Sequence, residues 1–194
     1  MYLTELEFTA ALARLPDSPL GTRPRLVRDK DTEQVVAVTN TAYIDEHWFK
    51  TPVLFERTNA AKVRGTANGA CSVYFCLDGK DALAAAACID GHGFDGTPAL
   101  SALSVHPDFR MRGVGRYLTL AALHLARFIC QRDSVSPQRL IIEVVDIKVK
   151  MLVMYERMGF RRFTTRTWEE YGLDPSHFTK ECHLVVFEHL LEGI

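Results

Sequence analysis

The residues whose types and spacing most directly imply chemistry lie in Val105-His106-Pro107-Asp108-Phe109-Arg110-Met111-Arg112-Gly113-Val114-Gly115-Arg116. A strand-like apolar run, Leu100 to Val105, is cut off by Pro107, and a long helical pattern opens at Val114. The first main-chain N–H groups of a helix have no partner inside it and carry partial positive charge. Gly113 and Gly115 let an anion's oxygens reach that main chain with no Cβ in the way. Strand, glycine turn and helix together make a phosphate or pyrophosphate site. Arg110, Arg112 and Arg116, opposed only by Asp108, add local positive charge that the whole-chain balance conceals. R-x-x-G-x-G alone is a common pattern, so its meaning depends on its surroundings. A dinucleotide fingerprint would need three spaced glycines and a later acidic residue, and a nucleotide-triphosphate loop would need Gly-Lys-Ser/Thr. Neither is present.

The surroundings supply the meaning. Val105-x-Pro107-x-x-Arg110-x-x-Gly113-x-Gly115 resembles the pyrophosphate-binding motif of the GNAT acetyltransferases. Further on, Leu140 to Val145 followed by Tyr155-Glu156-Arg157-Met158-Gly159-Phe160 resembles that superfamily's second acetyl-CoA motif. The two motifs cover roughly residues 100–163, and the looser likeness in element order runs over about 24–190. The resemblance implies an acetyl-CoA-dependent N-acetyltransferase, with no metal, in which a primary amine attacks the thioester directly. The amine would belong to a small molecule, a peptide or a protein. The alternative is a non-catalytic acyl-CoA-binding or regulatory module of the same fold. A longer acyl donor stays open.

By the same resemblance, the main chain of Leu103, Ser104 and Val105 holds the pantetheine arm, and the Val105 N–H faces the thioester carbonyl. The main-chain amides of Met111, Arg112, Gly113, Val114, Gly115 and Arg116, flanked by Arg110, bind the pyrophosphate. Asp146 and Arg157 complete the cofactor contacts. Tyr155 matches the tyrosine that donates a proton to the departing thiolate; a phenol, with a pKa of about 10, is protonated at neutral pH. By residue type alone Tyr155 is equally a helix aromatic packed beside Phe160. The chain departs from the family where relatives place Asn and Ala upstream of the tyrosine; here stand Lys148 and Met151.

Candidates for the base are Glu46, His47, His106 and Glu143. Glu143 comes first, because a carboxylate interrupting an apolar strand is costly unless it is paired or faces a cleft. If the family layout holds, the acceptor rim is built from Asp45 to Phe49 and Trp168 to Tyr171. Glu46, Trp48, Trp168, Glu170 and Tyr171 would there offer charge and cation–π contact to a cationic amine. Ordinary solvated loops are the competing description.

The elements that must hold these residues read as follows. Thr4-Glu5-Leu6-Glu7 matches a capping box for a short helix carrying Leu6, Ala10, Ala11 and Leu15, so residues 1–20 form a helical extension to a domain spanning 21–194. A strand over 24–28 precedes a helix that Asp31 caps and that carries Val35, Val38, Ala42 and Tyr43; a second helix covers 54–64, stopped by Gly65. Three strand-like runs follow, the first two joined by a tight turn at Asp78-Gly79. After the long helix from Val114 to Cys130 come a strand at 140–145, a helix at 149–158, and strands at 160–167 and 182–189. This order is α+β with one late parallel crossover. The GNAT likeness implies a mixed, mostly antiparallel sheet of about six to seven strands and about four helices, with the N-terminal helix added.

Composition bounds the rest. A formal net charge of −1 speaks against a broad nucleic-acid footprint. Ala82 to Ile89, the longest apolar run, is too short to span a bilayer, and no secretory leader is recognisable, so the cytosol is the expected compartment. No membrane partner is expected, and the chain would act as a monomer or as a homodimer paired through Leu184 to Phe187. The cysteines lack metal spacing and mostly sit in apolar runs, as buried free thiols do.

Overall fold

The computed structural model describes residues 3–43, 57–68, 72–91, 96–170, 172, 174, 176 and 178–192. A seven-stranded sheet is its frame. The strands are β1 (Arg25–Leu26), β2 (Ser72–Asp78), β3 (Leu83–Asp90), β4 (Ala99–Val105), β5 (Arg139–Val145), β6 (Arg161–Arg166) and β7 (Leu184–Leu190), ordered β1-β2-β3-β4-β5-β7-β6. Every neighbouring pair is antiparallel except β4 with β5. Five α-helices are described: α1 (Glu5–Ala11), α2 (Thr32–Tyr43), α3 (Ala60–Asn68), α4 (Val114–Asp133) and α5 (Val149–Arg157). This is the mixed α+β sheet expected from the sequence.

The pleat sorts side chains between two cores, because successive residues of a strand point to opposite faces. Val73, Phe75 and Leu77 of β2 and Ala85, Ala87 and Ile89 of β3 join α1, α4 and α5 on one face. Tyr74 and Cys76 of β2 and Ala86 and Cys88 of β3 join α2 and α3 on the other. Four consecutive alanines, Ala84 to Ala87, keep the centre of the sheet thin enough for helices to approach from both sides. Cys76, Cys88, Cys130 and Cys182 are free and buried, as expected of structural thiols; burial pushes the Cys76 and Cys88 thiols up to about 12.

Several local expectations change. The capping box forms, with Glu7 N–H donating to Thr4 Oγ1 at 3.2 Å and Thr4 N–H to Glu7 Oε2 at 2.8 Å. The apolar face of α1 is different, however: Leu6 is 80% exposed, whereas Leu3, Phe8, Leu12 and Leu15 enter the main core. Phe8 meets Phe75 with ring centroids 6.3 Å apart. Asp31 does not cap α2. It ends a 3-10 turn, Asp29–Asp31, and its carboxylate accepts from Arg28 N–H at 2.9 Å and from Arg25 at 2.6 and 3.1 Å. Helix α3 begins at Ala60 and runs through Gly65, whose neighbourhood is open enough that the missing side chain costs only helix propensity.

Two irregularities create the site. β4 bulges: Ala86 pairs with Ser104 but Cys88 with Ser101, so β4 carries one extra residue, and Ala102 takes a φ of 50°. Left-handed backbone at a non-glycine residue costs about 1–2 kcal/mol and persists only where the surroundings enforce it. β4 and β5 are also paired only at Ala99↔Ile141 and Leu100↔Ile142, although both strands run on to Val105 and Val145. Beyond the bulge, the facing edges of the two central strands have no ladder between them. A slot opens there.

Candidate functional site

The β4 edge of the slot is main chain. His106 N–H donates to Ala84 C=O at 2.9 Å, and Val105 lies directly opposite Ala85. Alternation along the strand therefore turns the N–H and C=O of Val105 away from β3 and toward the slot. The Leu103 C=O points the same way and accepts from the Tyr43 hydroxyl at 3.3 Å. The Ser104 side chain faces α2 instead: its hydroxyl lies 3.1 Å from that of Thr39 and donates to Ala86 C=O at 3.2 Å.

After β4, the 3-10 turn Pro107–Phe109 leads to the glycine turn. Main-chain hydrogen bonds of this segment close at Arg110, which donates to Pro107 at 3.1 Å, and resume at Tyr117, which donates to Gly113 at 2.9 Å. The intervening amides, Met111 to Arg116, surround the start of α4. Met111 has a φ of 61° and Gly113 a φ of 80°. Such left-handed residues turn successive N–H groups into a shared concavity suited to an anion. Met111, Arg112 and Gly113 are exposed, so the turn lies open at the mouth of the helix. Gly115 faces β4: a Cβ there would meet Val105 Cγ2 at 3.6 Å, ordinary contact. Its absence therefore serves the approach of a ligand more than the packing of the fold.

Three arginines ring this turn. Arg110 reaches Ala42 C=O at 3.3 Å, Arg112 lies over the Phe109 ring at 5.6 Å, and Arg116 is exposed. From Gly113 a cleft of about 520 Å³ runs along α4 past Arg116, Leu120 and Leu123 to Arg157 and Met158 at the end of α5. Two of its walls thus carry cations suited to phosphate.

Tyr155, on α5, is 2% exposed and packs edge-on against Phe160 with ring centroids 5.5 Å apart. The Thr119 hydroxyl, on the facing helix α4, donates to Gly115 C=O at 2.9 Å. Burial pushes the Tyr155 phenol well above its ordinary range; the nearby Tyr43 phenol adds to the rise, and Thr119 offsets part of it. The group is a firmly protonated phenol.

At the far end of β5, Asp146 N–H donates to His183 C=O at 2.9 Å, and Asp146 Oδ2 lies 3.4 Å from His183 Nδ1. Asp146 Oδ1 is buried and has no hydrogen-bond partner among the described residues. An orphaned buried acceptor of this kind suits an N–H donor from a ligand.

The other candidates have structural engagements. Glu143 Oε1 accepts from Arg166 Nη1 at 2.7 Å, and Arg166 Nη2 donates onward to Glu170 C=O at 2.7 Å. The charge that interrupts the apolar strand is therefore paired. The Glu170 carboxylate accepts from Thr167 N–H at 2.8 Å, closing a turn. Trp168 is buried and has one ring face stacked on Phe178 at 4.3 Å. His106 Nδ1 accepts from Asp108 N–H at 3.3 Å and caps the turn. Glu46, His47, Trp48 and Tyr171 lie outside the described residues. Tyr43 and Thr119 border the slot and the glycine turn through their hydroxyls. In the sequence Tyr43 reads as part of a helical stripe, and a hydroxyl among the apolar residues of α4 is the one signal for Thr119.

Glycine turn, parted strands and buried tyrosine define a class. Residues 69–162 match the family model described as an acetyltransferase (GNAT) domain. No curated protein sequence matches it. Among solved structures it is similar to smu.2055 from Streptococcus mutans, with 16% identity, a TM-score of 0.66, and 88% of this chain and 99% of that one covered. It is similar to yncA from Salmonella typhimurium with its cofactor acetyl-CoA, at 14% identity, TM-score 0.65, and 89% and 95% coverage. It also resembles the spermidine N-acetyltransferase of Vibrio cholerae in complex with CoA and spermine, at 14% identity, TM-score 0.63, and 88% and 95% coverage. At these identities the likeness is one of fold. No helix among the described residues is long and apolar enough to cross a membrane.

Proposed function

We propose that this protein transfers an acetyl group from acetyl-CoA to the primary amine of a small molecule, peptide or protein, by direct attack of the amine on the thioester. One observation carries the reading: the open run of amides from Met111 to Arg116 adjoins the slot into which the Val105 N–H points. The amides hold the diphosphate, with Arg116 and Arg157 toward the nucleotide end. The slot takes the pantetheine arm, offering the Leu103 C=O and Asp146 Oδ1 to its amides. The Val105 N–H stabilises negative charge on the carbonyl oxygen, a contribution of about 3 kcal/mol from one preorganised donor in acyl-transfer enzymes. Tyr155 donates its proton to the departing thiolate. Glu143, held by Arg166, is the candidate acceptor of the amine's proton.

Calorimetry with acetyl-CoA, followed by thiol release against a panel of monoamines, polyamines and peptide N-termini, tests this. Binding together with turnover of at least one amine is the expected result. A second reading, a non-catalytic acyl-CoA-binding module, draws on the depth at which Tyr155 is buried. Binding without turnover across the panel would favour it.

A further inference from the structure

The acetyl-transfer reading leaves open how long an acyl chain the slot accepts, and Tyr43 bears on that question. Tyr43 is the last residue of α2, on the sheet face opposite α4 and α5. Its hydroxyl reaches Leu103 C=O on the slot edge of β4, at 3.3 Å. Its ring lies under Lys148 Nζ at 5.1 Å, and Lys148 is the cap of α5 on the β5 side of the slot. Arg57 stands 5.2 Å from the same ring. The ring thus spans the opening from β4 to the start of α5. Its helix is pinned one turn earlier, where Thr39 meets Ser104.

Resting on that reading, we infer that Tyr43 is the wall that sets acyl length, admitting an acetyl group and excluding longer straight chains. A thioester whose carbonyl meets the Val105 N–H beside Tyr155 presents its acyl carbon toward the Tyr43 ring. The ring is anchored at its hydroxyl and by cations from two other segments, so it is a fixed boundary. Each added methylene must displace it and break those contacts.

The test uses the full chain with Tyr43→Ala, Tyr43→Leu and Tyr43→Phe, comparing acetyl-CoA and butyryl-CoA by calorimetric affinity and by thiol release with an amine from the panel. Wild type should prefer acetyl-CoA by at least about tenfold, the scale on which pockets discriminate single methylenes. Tyr43→Ala and Tyr43→Leu should bring the ratio to within about threefold, and Tyr43→Phe, which keeps the ring, should preserve it. Leu serves if the Ala variant fails to fold. Equal use of both donors by wild type, or an unchanged ratio in the shortened variants, overturns the wall. Failure of wild type to bind either coenzyme overturns the wall and the acetyl-transfer reading together. Discrimination in affinity without turnover sustains the wall and sinks only catalysis.

Discussion

Individual residues carry the chemistry, and Tyr155 is the most informative of them. Replacing it with Phe removes one hydroxyl from a fully packed site, so binding of acetyl-CoA should stay within about twofold while turnover falls by roughly 10²-fold or more, the usual range for a positioned acid. A parallel loss of affinity would argue against proton donation. The direction of its pKa shift also fixes a sign. A phenol raised above about 10 stays protonated throughout the neutral and mildly alkaline range, so Tyr155 should contribute no falling limb to the rate below about pH 10. A limb near pH 8 that vanishes in Tyr155→Phe would contradict this. The two glycines of the turn should behave differently. Gly113, at a φ of 80°, tolerates Ala only at a conformational cost of about 1–2 kcal/mol, visible in thermal unfolding without ligand. At Gly115 a Cβ meets only ordinary contact, so Gly115→Ala should leave unfolding nearly unchanged and weaken coenzyme binding alone.

At the scale of elements, the turn before α4 packs against the tight turn of the β2–β3 hairpin. A Cβ at Gly79 would lie 2.6 Å from Phe109 Cζ and 2.8 Å from Ala82 C=O. The second atom is backbone and cannot swing aside. Gly79→Ala should therefore cost about 1–3 kcal/mol by overpacking and push Phe109, with the turn it anchors, away from β3. Acetyl-CoA affinity should drop although Gly79 belongs to no part of the site; unchanged affinity in a destabilised variant would show that the turn holds its place without Phe109. Arg25 plays a comparable part near the sheet edge, bridging Asp31 and Asp78 at 2.6 and 2.8 Å. Burial alone would raise the Asp31 carboxyl, but the Arg25 hydrogen bonds and the Arg28 N–H bring it below its ordinary range. A carboxyl lowered in the folded state stabilises above the unfolded value of about 3.9, and that stability is lost as pH falls through the folded pKa. Arg25→Met should cost roughly 2–4 kcal/mol at pH 7 and less near pH 3, which denaturant unfolding at the two pH values would measure.

For the molecule as a whole, the notable feature is how the N-terminal segment is used. Phe8, Leu12 and Leu15 enter the same core as α4 and α5, and the Tyr117 hydroxyl donates to Pro16 C=O at 2.9 Å. Phe8→Ala should therefore destabilise the entire domain by about 3–5 kcal/mol. At roughly 2–4 °C per kcal/mol for a chain of this length, one cooperative transition should move down by at least about 6 °C. A separate early transition with the main one unmoved would mean that α1 unfolds alone.

Short-range physics made much of this readable from residue order. The α4 stripe, the hairpin at Asp78 and Gly79, the proline that ends β4, and the glycines that open α4 each depend on residues within a few positions of one another, so their spacing carries the signal. The glycine turn that opens α4 falls in that group. What only the tertiary structure decided depends on segments far apart in the chain. Nothing near Ala102 announces a left-handed residue inside a strand; the bulge arises because β3 and α2 hold β4 from two sides. Glu143 looked exceptional by itself and proved to be paired to Arg166, and Trp168 found its partner in Phe178. Leu6 and Phe8 both fit a helix, and only the position of β2 selected which of them would be buried. Tyr43 reaches the Leu103 C=O solely because the ends of β4 and β5 separate there. Periodicity records which face of an element is apolar, whereas the identity of what meets that face is set by the packing of the whole chain.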